Sequence, residues 1–169
     1  DEEYAMKAAE NPLVTGIIEK LSVEKNIDMA LKVNPTADKV VAILDDSVTA
    51  DAERKNFYSA EAEYPELEFS EINSSELTTA QLQQAISKVD DKTILIYIVM
   101  SKDGSGKQYT SDQALCMIVD YAKVPVYRMV EAGIGDGLLG GNVVSMYKSG
   151  EIAAQMAMDI ANGTDSAEI

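Results

Sequence analysis

The sequence predicts an α/β fold of three layers, a mostly parallel sheet with helices on both faces. Three observations lead there. Short apolar runs alternate along the chain with stretches whose apolar residues recur at helical spacing. One run, Thr93 to Met100, is apolar without alternation, as expected of a central parallel strand covered on both faces. Polar or glycine-bearing segments separate the runs, and two helical stretches open with a capping box.

In chain order, Leu21, Val23, Ile27, Ala30 and Leu31 fall on one helical face, and Asn34 and Pro35 stop that helix. Lys39 to Leu44 is a first strand that ends abruptly at Asp45, Asp46 and Ser47. The next helix places Phe57, Ala60 and Tyr64 on one face and closes at Pro65. Leu67 and Phe69 alternate with Glu68 and Ser70, the pattern of a half-buried edge strand. Thr78 to Gln81 forms a capping box before Leu82, Ala85, Ile86 and Val89. After the strand from Thr93, a polar loop from Ser101 leads to a second capping box, Thr110 to Gln113. The helix it opens buries Leu115, Ile118, Val119 and Ala122. Val124 to Val130 is a fourth strand, with Pro125 suited to an edge or a strand start. A glycine-rich segment, Glu131 to Gly141, precedes a short strand near Asn142 to Met146. The last helix carries Ile152, Met156 and Ile160 and stops at Asn162 and Gly163. Strands separated by helices imply right-handed crossovers and hence a parallel sheet.

Composition narrows the function classes. The chain of 169 residues fits one domain, and 46% apolar with 25% charged residues is ordinary for a globular protein. With no Trp and two Phe, the core must be aliphatic, Ala and Met. No charged-then-apolar leader opens the chain, and its longest apolar run is too short to cross a bilayer. Against 14 basic residues stand 29 acidic ones, a formal net charge of −15. A field of that sign repels phosphate backbones, so nucleic acid is not an expected partner. There is no His, which removes the commonest general base and the usual Ser-His and Cys-His nucleophiles. Cys116 sits in the apolar stretch Ala114 to Val119 and is expected to be a small buried hydrophobe.

In open α/β sheets ligands bind beyond the carboxyl ends of the strands. Three polar loops are expected there: Asp45 to Thr49, Ser101 to Asp112, and Glu131 to Gly141. Asp45 and Asp46 could hold Mg²⁺ as in a response-regulator receiver. That reading needs an Asp ending the third strand and a Lys ending the last; Met100 and Ser101, then Ser145 and Met146, stand there instead. A helix cap accounts for part of the same signal. Gly133, Gly135 and Gly137 resemble a dinucleotide loop in spacing but lie late in the chain with a strand after them. A flavodoxin-like phosphate loop at Ser47 to Thr49 lacks the expected run of Thr and Ser. Glu131, opening the glycine-rich segment, reads either as an acceptor for an amine or hydroxyl ligand or as a solvated carboxylate.

Several segments, in order, resemble one family. Pro12 to Ile17, a helix, and then Asn34 to Leu44 are similar to the crossing into the second lobe of type 1 periplasmic binding proteins. The likeness is to their ABC-transporter substrate-binding subfamily, also used as the extracytoplasmic sensor of histidine kinases and diguanylate cyclases. Val124 to Gly141, with the following Tyr147 to Ala154 stretch, resembles the sensor-type version.

The resemblance implies an extracytoplasmic, non-enzymatic domain that binds a small solute, an amino acid or similar polar molecule, for transport or signal transduction. Its partners would be a membrane-linked permease, kinase or cyclase, with a homodimer as a further expectation. Residues 1–169 would be a single α/β lobe, the second of two, with 145–169 returning to a first lobe that precedes residue 1. Carried over by position, the ligand contacts would be Asp46, Ser47 and Thr49, then Ser101 and Tyr109, then Glu131 and Gly133. No catalytic residue, metal site or cofactor is implied. A receiver-like phosphoacceptor or a flavodoxin-like carrier is the alternative.

Overall fold

The computed structural model describes residues 2–169, with side chains from residue 5 onward. The chain divides into two compact units, Leu21–Val143 and a smaller one joining Asp1–Lys20 to Val144–Ile169.

The larger unit is a four-stranded sheet with helices on both faces. Helix α2 (Val23–Val33; α1 is Glu2–Ala8 in the smaller unit) precedes β1 (Lys39–Leu44). Then follow α3 (Val48–Ser59), β2 (Glu68–Asn73), α4 (Thr79–Ser87), β3 (Thr93–Tyr97), α5 (Ser111–Tyr121) and β4 (Val126–Arg128). All pairings are parallel, in the order β2-β1-β3-β4. The three-layer α/β expectation is met, and β2 is indeed an edge strand.

Side-chain alternation divides the core. Val40, Ala42 and Leu44 of β1 and Ile94 and Ile96 of β3 face α2 and α3, where Ile27, Ala30 and Phe57 are fully buried. Ile43, Leu95 and Tyr97 face the opposite way, onto Leu82 and Ile86 of α4 and Ala114 and Ile118 of α5. Because β3 is covered on both sides, all five of its residues are buried, which is why its sequence shows no polar alternation. Phe57 stacks on Phe69 of β2 with centroids 5.1 Å apart, so α3 grips the sheet edge through one large ring.

Both capping boxes form. Thr78 and Thr110 each accept from a backbone N–H three residues on, while Gln81 and Gln113 reach back to the cap N–H. Two expectations are corrected. Strand β4 spans three residues, and Asn142 to Met146 is reduced to a single bridge residue, Val144; part of the return pairs earlier. Leu139 N donates to Val126 O at 2.8 Å and Arg128 N to Leu139 O at 3.2 Å. Ser145 is already committed to capping α6 (Met146–Ala161).

In the smaller unit, α6 has no fully buried residue. Leu13, Met6 and Met158 are 85%, 64% and 59% exposed. The Ser166 hydroxyl donates to Pro12 O and ties the two segments of this unit together.

Candidate functional site

The strand order reverses direction between β1 and β3: β2 lies on one side of this pair and β4 on the other. The carboxyl ends of β1 and β3 therefore flank the topological switch point, where an open sheet forms a crevice. Asp45 directly follows β1 and lies at that point. Fully buried, it accepts from Ser101 N at 2.8 Å and from the Ser101 hydroxyl on one oxygen, and from Ser47 N at 2.9 Å on the other. Burial pushes this carboxyl up, but hydrogen bonds from Ser101 and Ser47 outweigh it and hold the group below its ordinary range. Asp45 thus stays ionised and staples the β3 loop to the end of β1.

The neighbouring residues stand around that staple. Asp46 is exposed; it accepts from the Ser75 hydroxyl at 2.8 Å and pairs with Lys102 at 2.8 Å, and these contacts lower its pKa. Ser47 caps α3 by accepting from Ala50 N. Val48 and Thr49, in the first turn of α3, are open to solvent, Val48 at 89%. So Asp46, Ser47, Thr49 and Ser101 do gather at one edge.

Tyr109 joins them only through its backbone, its N–H donating to Ser101 O at 2.8 Å, while its side chain turns away. Its hydroxyl lies 3.1 Å from Asp103 Oδ2 and 2.7 Å from Thr79 Oγ1. Asp103, 2% exposed, also accepts from Thr79, from Ser105 N and its hydroxyl, and from Lys107 N. Tyr109 lines an open groove of about 370 Å³ with Thr79, Asp112, Cys116 and Met117, none of them at the β1/β3 crevice. Cys116 is exposed, a correction to the buried position expected of it. The inward stripe of α5 is Ala114, Met117 and Ile118, and residue 116 falls off that stripe.

The third cluster ends β4. Glu131 is partly buried and opens a turn in which Ile134 N donates to Glu131 O at 3.2 Å. Gly133 has φ +89°, a backbone conformation that favours glycine, and a Cβ there would also press on a Leu138 methyl at 2.9 Å. Arg128 lies over the Tyr97 ring, Cζ 4.2 Å from its centroid, and its buried Nε has no hydrogen-bond acceptor. A cation–π stack contributes about 0.5–1 kcal/mol at an exposed site, rising with desolvation. Leaving a buried donor unmade costs about 1–3 kcal/mol. The Tyr97 stack therefore offsets part of that cost.

The sequence pattern favours Asp46 over Asp45 as a ligand contact and does not single out Asp103, Tyr97 or Arg128. For Arg128 a signal existed: it is one of two arginines, Arg54 being the other. Among the described residues no group of three or more Asp, Glu or Cys is placed to hold a metal. The receiver reading is not favoured, because both Asp45 oxygens are committed to Ser47 and Ser101.

The fold is a parallel α/β sheet flanked by helices, a class in which ligands are taken up beyond the carboxyl ends of the strands. A family model described as "ABC transporter substrate binding protein" matches residues 5–169, and the chain belongs to that family. Membership supports a solute-binding role in a class that is generally non-catalytic and typically extracytoplasmic. The fold is also similar to the crystal structure of a conserved domain protein from Vibrio cholerae O1 biovar eltor str. N16961, with TM-score 0.63 and 18% identity. That match covers 92% of this chain and 51% of the other, so the chain spans about half the length of that protein. Among curated proteins none matches the chain. No helix among the described residues is long and apolar enough to cross a membrane.

Proposed function

We propose that the chain is the second lobe of an extracytoplasmic, two-lobed receptor for a small polar solute, an amino acid or a close analogue. The observation that carries this reading is the substrate-binding family match over residues 5–169. The switch-point crevice supports it, with Asp46, Ser47, Thr49 and Ser101 as candidate contacts at one end and Glu131 and Gly133 at another. Tyr109 serves the site indirectly, by holding its loop through Asp103. The longer Vibrio cholerae protein supports a further portion of the receptor, which would also cover the apolar side chains of Leu13, Met6 and Met158.

Closure of such a clamp is a hinge motion whose output passes to a permease, or to a membrane-linked kinase or cyclase. The glycine-rich return from Glu131 to Gly141 favours the sensor output, and a homodimer would suit it. The test is a thermal-shift screen of the two-lobed receptor against amino acids, peptides and sugars at millimolar concentration. Binding should raise the midpoint as ln(1 + [L]/Kd), so micromolar ligands stand out. If nothing in that panel stabilises the protein, the solute assignment fails.

A further inference from the structure

The two arginines are used in opposite ways. Arg54 is consumed inside the lobe: it meets Glu71 at 3.0 Å, Asp51 at 2.6 Å and the Asp45 carbonyl at 2.8 Å. Arg128 has no counterpart to these contacts. In a chain with 29 acidic residues, none of those described pairs with it. It is the last residue of β4, and its backbone is pinned by the bond from Arg128 N to Leu139 O. Its side chain is seated on Tyr97, the residue beside it in register on β3. Nε is shut away from water without an acceptor, whereas the residue as a whole is only partly buried. The terminal nitrogens of the fork are therefore its open donors. A guanidinium cannot shed its proton to escape this position.

We propose that Arg128 is the anion anchor of the solute site, and that the solute it takes carries a carboxylate. The inference rests on the solute-binding reading above and names the chemistry of that solute. A planar guanidinium matches a carboxylate with two parallel N–H···O bonds, and the Tyr97 ring sets the plane in advance. A net charge of −15 disfavours a dianion such as phosphate more than a monoanion. Arg128 ends β4, next to β3, and so stands at the carboxyl edge of the sheet one strand out from the β1/β3 switch point.

The experiment uses the two-lobed receptor as wild type, R128Q, R128K and K55Q, the last a charge-matched control at an exposed position of α3. Probes are the L-amino acids, their C-terminal amides, and inorganic phosphate, with Kd read by calorimetry. At least one free amino acid should bind and its amide should not. R128Q should raise Kd on the order of thirtyfold or more, as expected when one partner of a buried charged pair is removed. R128K should fall between, and K55Q should stay within about twofold of wild type. R128Q binding the acid as wild type does would overturn the anchor and leave the solute-binding reading intact. Equal binding of acid and amide, or phosphate in place of amino acids, would overturn the carboxylate. If none of these probes binds, the amino-acid reading sinks along with the anchor. Should R128Q fail to fold, R128K decides on the same comparison, and wild-type affinity there overturns the proposal.

Discussion

At Asp103 hydrogen bonds from Thr79, Ser105, Lys107 and Tyr109 converge on two carboxylate oxygens, and a polar loop becomes a rigid one. Burial pushes this carboxyl up, but those hydrogen bonds prevail and hold it far below the usual carboxylate range. A depressed pKa in the folded state stabilises above the unfolded value, about 4, and that contribution is lost as pH falls towards the folded value. Asp103→Asn should therefore cost about 1–3 kcal/mol at neutral pH. Urea midpoints measured from pH 6 down to pH 2.5 should fall less steeply in the variant than in wild type. Asn26 makes a second test. It is fully buried, donates to Ser22 O and Asn142 O, and packs its Oδ1 against Gly141. A Cβ at residue 141 would collide with that oxygen. Gly141→Ala should lose roughly 1–3 kcal/mol by overpacking, read as a lower urea midpoint at unchanged slope.

The elements were legible where periodicity and capping agreed. Thr110 and Gln113 announced α5 by type and spacing, and the structure forms both halves of that box. Thr110→Ala should cost about 1 kcal/mol, measurable as a shift in chemical denaturation. The weak points were short elements. Strand β4 and the return after it depend on one residue, Leu139, finding β4, and no local pattern encodes a single bridge. Helix α6 is the opposite case: its apolar spacing was clear, yet none of its residues is fully buried. A helix without a packed face is held mainly by its own hydrogen bonds. Amides of Met146–Ala161 should exchange with deuterium much faster than those of β1 and β3, with mass-spectrometric exchange of the chain as the measure. Protection of α6 equal to that of β3 would contradict this.

For the whole molecule, the lack of His removes His-based nucleophiles, the acidic balance weighs against a nucleic-acid partner, and the order of apolar runs determined a parallel α/β sheet. These properties are local or additive, so one sequence suffices to read them. Family likeness was legible in the same way, because it lives in ordered segments such as Val124 to Gly141. The candidate site was legible only as loops. Which of two adjacent carboxylates is buried and where the Tyr109 hydroxyl turns depend on partners distant in the chain, Ser101 for Asp45 across 56 positions and Thr79 for Tyr109 across 30. Arg128 carries the same lesson. The sequence determined that a guanidinium ends the fourth strand; only tertiary structure laid it on Tyr97 and left its buried nitrogen without an acceptor, because partners brought together by the sheet are not neighbours in the chain.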